Sequence, residues 1–401
     1  MKELSVIASK VQASTTVAVD TKFKEMKAAG IDVIGFGAGE PDFATPDNIK
    51  LAGIKAIITN QTKYTAASGM PTLKQAVCDR LLADTGVAYQ PSNIVVSSGA
   101  KHIVYVALQT IVNPGDEVIL PAPYWVSYKE LIQMMGGIPV IIHCLEKDNF
   151  KMTAAELKAA CTPKTKALIL NNPSNPTGMM YSREELEALA EVCREEDLYI
   201  LADEIYYKLL YDGRTFTSVA AVSEDAKSRS IIINGVSKSY AMTGWRIGYG
   251  AAPANIAKIM GNYLSHSTSA ASTISQVAAI EALNGPQDTI EEMRKAFEQR
   301  RNHLVERLNA IDGVSCIVPE GAFYVMMNIE QLIGKKLYGK EIRDADDFSA
   351  LFLEKGLVAV VSCVGFDAPN FVRWSYATSM DNIDGGMDRL ERFLKEGAEK
   401  A

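Results

Sequence analysis

The residues of this 401-residue chain that invite chemistry stand where short apolar runs end. Ser237 and Lys238 lie just beyond SIIIN (230–234), and Asp203 and Tyr206 close and follow YILAD (199–203). The turn NNPSNPTG (171–178), with Asn175, follows KALIL (166–170), and SSGAK (97–101) follows NIVVS (93–97) and opens a helix-like segment. A lysine beside an apolar sheet edge loses its proton more easily than in water and attacks a carbonyl to give a Schiff base. An aspartate facing a pyridine nitrogen keeps that nitrogen protonated, and the ring becomes an electron sink. A loop entering a helix offers free backbone N–H groups to a phosphate. Each feature alone has an ordinary reading: a solvated lysine, an aspartate that caps a helix. Four at one edge are harder to dismiss, because ligands of open α/β sheets bind beyond the carboxyl ends of the strands.

The elements that must position these groups alternate regularly. Runs of strand length occur at 93–97, 117–120, 138–143, 166–170, 199–203, 230–234 and 246–251. Most are too apolar for a sheet with one wet face and predict buried parallel strands. Helical patterns lie between several of them. SREELEALAEVCREE (182–196) opens with Ser182 and Glu185 in a capping-box spacing and continues with helical period. The expected class is α/β, with a mostly parallel seven-stranded sheet in an α/β/α sandwich as the large domain. After the breaker Asn284-Gly285-Pro286 the character changes. A charged amphipathic helix at 289–310, isolated strand-like pieces at 322–327 and 371–376, and a final helix from about Asn382 predict a smaller α+β domain. The expected division is 1–44 packing with the small domain, 45–288 as the large cofactor-binding domain and 289–401 as the small domain.

Composition excludes several classes. The formal charge of -7 argues against general nucleic-acid binding, although a local basic pocket can still take an anion. No run of about 18 apolar residues is present to span a membrane. Residues 1–20 lack the apolar core of a signal peptide, which predicts a cytoplasmic protein. The six cysteines are scattered without a C-x-x-C pair and the four histidines without H-x-x-x-H, so neither a disulfide framework nor a metal site is expected. Gly35-Phe36-Gly37-Ala38-Gly39-Glu40 fails as a dinucleotide loop, since Glu40 stands where the third glycine belongs and Pro41 follows. Neither a Walker phosphate loop nor a G-x-S-x-G elbow occurs.

What remains suits pyridoxal phosphate: Lys238 for its aldehyde, Asp203 for its ring nitrogen, Tyr206 and Asn175 for its phenolic oxygen, Arg246 for its phosphate. The segment NGVSKSYAMTGWRIG (234–248), with NNPSNPTG and ADEIYY, resembles the class I aminotransferases of the fold-type I pyridoxal-phosphate enzymes, and within them the bacterial aspartate aminotransferases. The resemblance extends from GAGEPD (37–42) to FVRWSYAT (371–378). It implies that Lys238 carries the cofactor and then moves the proton at the substrate Cα. It further implies that Trp125 stacks on the ring, that Gly99, Ala100, Ser237 and Arg246 hold the phosphate, and that Tyr64 reaches the phosphate of a neighbouring subunit in a homodimer. Arg373 would clamp the substrate α-carboxylate, helped by Asn175 and the N–H of Gly39. An arginine fork suits a carboxylate, and one lysine beside Cα can serve as base and acid in turn.

Aspartate and glutamate carry a second carboxylate. One branch of the family meets it with an arginine from the partner, yet no arginine lies between Arg246 and Arg294. Another bacterial branch places a lysine after the SGA-like turn, where Lys101 stands; the other reading of Lys101 is a phosphate neighbour or a solvated charge. Aspartate with 2-oxoglutarate is thus the expected pair, with an aromatic amino acid or prephenate as the alternative and a lyase on the same scaffold behind it. STSAAS (267–272), where relatives commonly carry Asn-Pro, is expected near the pocket and bears on substrate range. Trp125 read as core and Tyr64 read as plain surface are the ordinary alternatives.

Overall fold

Seven runs rich in Val, Ile and Leu pair into one sheet in the computed structural model, which describes residues 2–6, 8–11 and 15–399. They are β1 (Ile94–Ser97), β2 (Glu117–Ala122), β3 (Ile138–His143), β4 (Thr165–Asn171), β5 (Tyr199–Asp203), β6 (Ser230–Gly235) and β7 (Gly248–Ala251), in the order β1-β7-β6-β5-β4-β2-β3. Successive side chains of a strand leave on opposite faces. Along β4, Leu168 and Leu170 enter one core with Leu186 and Leu189, while Ala167 and Ile169 enter another with Ile103 and Val106. Both faces are therefore covered, one by helices Pro71–Thr85, Arg183–Glu195 and Thr273–Asn284, the other by Ala100–Ile111, Ser127–Met134 and Ala254–His266. Ser182 caps Arg183–Glu195 and exchanges bonds with Glu185 in the expected capping box.

Two strands depart from the buried parallel pattern. β7 runs antiparallel to both neighbours, β1 and β6. It begins at Gly248 rather than Arg246, because a tight 3-10 turn at Thr243–Trp245 and a left-handed Arg246 (φ 56°) reverse the chain after β6. An antiparallel neighbour needs no crossover helix, so this short return suffices. β3 is one of the two edge strands and is only partly buried, which its apolar sequence IPVIIH does not announce.

The C-terminal part forms a third core between helices Asp288–Asn309 and Met380–Glu399. Its strand-like pieces are not isolated: Phe371–Ser375 pairs antiparallel with Tyr324–Asn328 on one side and Val361–Ser362 on the other. From the first 44 residues, Ile34–Gly35 pairs in parallel with Val358–Ala359, and Phe36 enters the same core. Of the segments 1–44 and 289–401, residues 1, 7, 12–14, 400 and 401 lie outside the described residues. Tyr206, Leu209 and Tyr211, just past β5, also pack into this third core, so the end of β5 lies where the sheet edge meets the C-terminal layer.

Candidate active site

The carboxyl ends of β1, β4, β5 and β6 share one edge, and the antiparallel β7 starts there, which brings Arg246 to the same place. A cavity of about 400 Å³ opens at that edge, closed on the far side by Gly37–Glu40, Tyr324 and Arg373. Lys238, Asp203, Tyr206, Asn175, Trp125, Ala100, Lys101, Ser237, Arg246, Arg373 and Gly39 all line it.

Asp203 is buried at the end of β5. Its Oδ2 accepts the Tyr128 hydroxyl at 2.7 Å and its Oδ1 accepts the Ile205 N–H at 3.2 Å. Burial raises its carboxyl to about 6, against the pull of the Tyr128 and Ile205 bonds and of Lys238. At neutral pH it is still mostly ionised, a buried anion facing an open cavity. Asn171, at the end of β4, braces this corner: its Nδ2 donates to the Asp203 carbonyl at 2.9 Å and its Oδ1 accepts the Asn175 N–H at 2.7 Å.

Lys238 donates to the Gly39 carbonyl and lies 5.8 Å from the centroids of both Tyr206 and Phe323. Burial lowers its ammonium to about 8; the charges of Glu40 and Asp203 oppose this, and those of Arg373 and Arg246 add to it. A lysine near 8 has an appreciable free-amine fraction at neutral pH, as a nucleophile requires. The Tyr206 and Tyr324 hydroxyls stand 3.1 Å apart. Burial foremost, and then Tyr324, hold the Tyr206 phenol well above its ordinary value.

Arg373, 2 % exposed, donates from Nη1 to Asn175 Oδ1 at 2.9 Å and from Nη2 to the Gly37 carbonyl at 3.1 Å. Its guanidinium lies 4.3 Å from the Tyr324 ring centroid and 5.3 Å from that of Phe366. Its buried Nε finds no acceptor among the described residues. The side chain is thus held by flanking rings and neutral oxygens rather than by an acid, which leaves a charge for a carboxylate ligand.

Gly99 caps helix Ala100–Ile111 with φ 92°, a left-handed conformation that a side chain would strain. A Cβ there would fall on the Arg246 guanidinium. Arg246 Nη1 in turn donates to the Thr243 carbonyl at 2.8 Å. A 12-residue helix therefore starts with its free N–H groups beside an arginine, with Ser237 on the same cavity wall. Lys101, in the first turn, sets its Nζ 4.7 Å from the centroid of Trp125. Burial first, then the Arg246 charge, hold its ammonium below the ordinary value.

The sequence model for "Aminotransferase class I and II" matches residues 31–390. The chain belongs to that family. It is 50% identical over 398 residues to an aspartate aminotransferase of Bacillus sp. (strain YM-2), covering 98% of this chain and 100% of the relative. It is 46% identical to an aspartate/prephenate aminotransferase of Cereibacter sphaeroides, over 98% and 99% of the two chains. The crystal structure of the aspartate aminotransferase from Rhizobium meliloti superposes with a TM-score of 0.95 at 41% identity, covering 99% of this chain and 100% of that one. This chain is accordingly a transaminase, and the class I and II aminotransferases depend on pyridoxal phosphate.

The residues fit that cofactor. The helix start with Arg246 and Ser237 suits a phosphate, and the buried Asp203 carboxylate suits a protonated ring nitrogen. The Lys238 amine suits an aldehyde. Tyr206 and the Asn175 NH₂, whose carbonyl is taken by Arg373, suit a phenolic oxygen. Tyr64, expected to act on a neighbouring subunit, is 97% exposed and lies off the cavity of its own chain. The segment 267–272 does not line it either; Thr273 donates to the Lys63 carbonyl and Gln276 to Thr65, which sets that segment beside Tyr64 instead. The sequence reading missed Tyr128, Asn171, Tyr324, Thr243 and Glu40. Tyr128 had a signal, three residues after Trp125: its N–H donates to the Trp125 carbonyl at 2.9 Å where helix Ser127–Met134 begins, and the two rings meet edge-on at 5.2 Å.

Proposed function

We propose that this transaminase moves an amino group between aspartate or glutamate and 2-oxo acids, catalysing aspartate + 2-oxoglutarate = oxaloacetate + glutamate. The observation that carries the dicarboxylic substrate is Lys101: its ammonium projects over Trp125 inside the cavity, a second cation beside the Arg373 fork. The cavity thus has a cation for each of two carboxylates. Relatives at about half identity that bear the name aspartate aminotransferase support the same reading.

Bound at this edge, pyridoxal phosphate supplies an aldehyde for amines and a cationic ring that draws electrons from the substrate Cα. Arg373 binds the α-carboxylate, with Asn175 and the Gly39 N–H beside it, and so fixes which substituent of Cα faces Lys238. Lys238 Nζ takes the proton from Cα as a general base and later returns one as a general acid. The Asp203 carboxylate, held by Tyr128, keeps the proton on the ring nitrogen. Ser237, Arg246 and the N–H groups at Gly99 and Ala100 anchor the phosphate. Trp125 walls one face, and Lys101 binds the distal carboxylate.

A panel of amino donors against 2-oxoglutarate and oxaloacetate tests the assignment. Aspartate and glutamate should lead in kcat/KM; a panel led by aromatic donors, or one that releases ammonia, overturns it. Prephenate is the second reading, favoured by the Cereibacter sphaeroides relative. It also carries two carboxylates, so the same two cations suit it.

The division at about residues 45 and 288 remains part of this proposal, supported by the separate C-terminal core. So does a homodimer in which Tyr64 reaches the neighbour's phosphate. Its exposure, and that of Leu51, Ile54 and Ile58 on helix Asp47–Ile58, supports a face that a second copy covers. Six free thiols, five of them buried, fit a reducing, cytoplasmic setting.

A further inference from the structure

Glu40 is out of place in a site that binds anions. It lines the cavity with Lys101, Lys238, Arg246 and Arg373, where a carboxylate repels substrate carboxylates rather than binding them. Its Oε2 accepts the Thr243 hydroxyl at 2.7 Å. That bond belongs to a strap, residues 37–45, whose first four residues line the cavity. Its first end is tied to the C-terminal layer, where Phe36 N–H donates to the Ala359 carbonyl at 2.7 Å. At its last end Thr45 donates to the Ala241 carbonyl at 2.6 Å. Between these ends, Gly37 accepts from Arg373, Gly39 from Lys238, and Asp42 from Arg300 at 2.8 Å.

Two of those ties use the reacting machinery itself. Lys238 cannot donate to the Gly39 carbonyl in the same way while its amine is committed to an aldehyde, whereas Arg373, with its Nε unpaired among the described residues, has a donor to spare for a carboxylate. Glu40–Thr243 involves no reacting group and, one residue from Gly39, joins the strap to the phosphate-side wall, since the Thr243 carbonyl holds Arg246; Thr45 makes the other such joint, through the Ala241 carbonyl and Trp245 Nε1.

We propose that Glu40 is a positioning residue: its carboxylate, bonded to Thr243, holds the Gly39 backbone over the substrate α-carboxylate while the partner of Lys238 changes. The proposal rests on the transaminase reading and concerns the α-carboxylate end, common to all amino donors. Binding that is equal in ground and transition states appears in KM and not in kcat.

The test uses the cofactor-loaded full chain as wild type, Glu40→Ala, Glu40→Gln, Thr243→Val, Thr243→Ser and the Glu40→Ala/Thr243→Val pair. Kinetics are measured with aspartate and with phenylalanine, and amide hydrogen exchange is followed over residues 36–43. Glu40→Ala and Thr243→Val should each raise KM up to about tenfold for both donors, with kcat changed less than about twofold, as expected for the loss of one hydrogen bond. Both should speed exchange of the strap. Glu40→Gln and Thr243→Ser, which keep a hydrogen bond, should restore both readouts, and the pair should be no worse than the poorer single variant. Glu40→Gln behaving like Glu40→Ala would make the charge, not the tie, the cause and overturn the proposal. Additive effects in the pair, or unchanged strap exchange, would overturn it too. Exchange needs no turnover, so a wild type that transfers no amino group would sink the reading of function while exchange still decides the tie.

Discussion

Replacing Tyr128 with phenylalanine asks whether Asp203 works as a carboxylate. The Tyr128 hydroxyl donates to Asp203 Oδ2 at 2.7 Å, with both groups buried. Such a bond to a charged group contributes about 1.5–3 kcal/mol, and one pKa unit corresponds to about 1.4 kcal/mol. The carboxyl, held at about 6 with the bond in place, should therefore climb by about one to two units without it. Only the ionised form pairs with a protonated ring nitrogen, so affinity for pyridoxal phosphate should follow the ionised fraction of the free protein. The sign is fixed: the variant's carboxyl is raised, so its deficit grows as pH falls. The ratio of variant to wild-type Kd should be near one above about pH 9, about 2 to 10 at pH 7, and about 10 to 100 well below pH 6. Equilibrium binding of the cofactor to the stripped protein between about pH 5.5 and 9 measures it, and the ratio cancels titrations shared by both proteins, that of Lys238 included. A ratio that stays flat, or grows with pH, refutes the argument that Tyr128 acts through the Asp203 charge.

The Lys238 amine is a free base only above its lowered value of about 8, so the rate at which borohydride fixes pyridoxal phosphate to the stripped chain should rise with pH and level off near there; Lys238→Ala should trap nothing. Continued rise to pH 10 would mean burial does not set the lysine's reactivity. Lys101→Ser should raise KM for aspartate about tenfold or more while leaving phenylalanine within about twofold, and equal losses would assign Lys101 to the phosphate. Arg373→Ala strips a buried fork from every donor, so kcat/KM should fall by about two to four decades for aspartate and phenylalanine alike. A selective loss would place another group on the α-carboxylate.

The sheet was legible because both of its faces are dry. All seven runs read from the sequence became its strands, and Ser182 with Glu185 marked the start of helix Arg183–Glu195. Direction was not legible for β7. An apolar run states that a strand is buried but not which way it runs, and the turn that reverses it depends on Thr243–Trp245 and a left-handed Arg246. The groups that touch the chemistry were legible because their types at strand ends are specific. Their supports were not. Tyr324 meets Tyr206 across 118 residues of chain, and Thr243 meets Glu40 across 203, contacts that no local spacing encodes. Tyr64 differs again: nothing within one chain gives it a task, because its proposed partner is on another copy.

Net charge misleads about this site for a related reason. The chain sums to -7, yet its cavity sets Lys101, Lys238, Arg246 and Arg373 against only Asp203 and Glu40. Charges separated by more than about 10 Å of salt solution hardly sense one another, so the acidic surface does not cancel this local excess. The excess is also held apart internally. Arg373 is flanked by rings and carbonyls, and Arg246 bonds backbone oxygens. Neither is neutralised by a protein acid, whereas Arg301, as buried as Arg373, is clamped by Asp212 at 2.7 Å. That contrast separates the two uses of arginine in one chain. A buried guanidinium already paired to a carboxylate is structural, and one left with neutral partners beside a cavity is a binding site for an anion that arrives from outside.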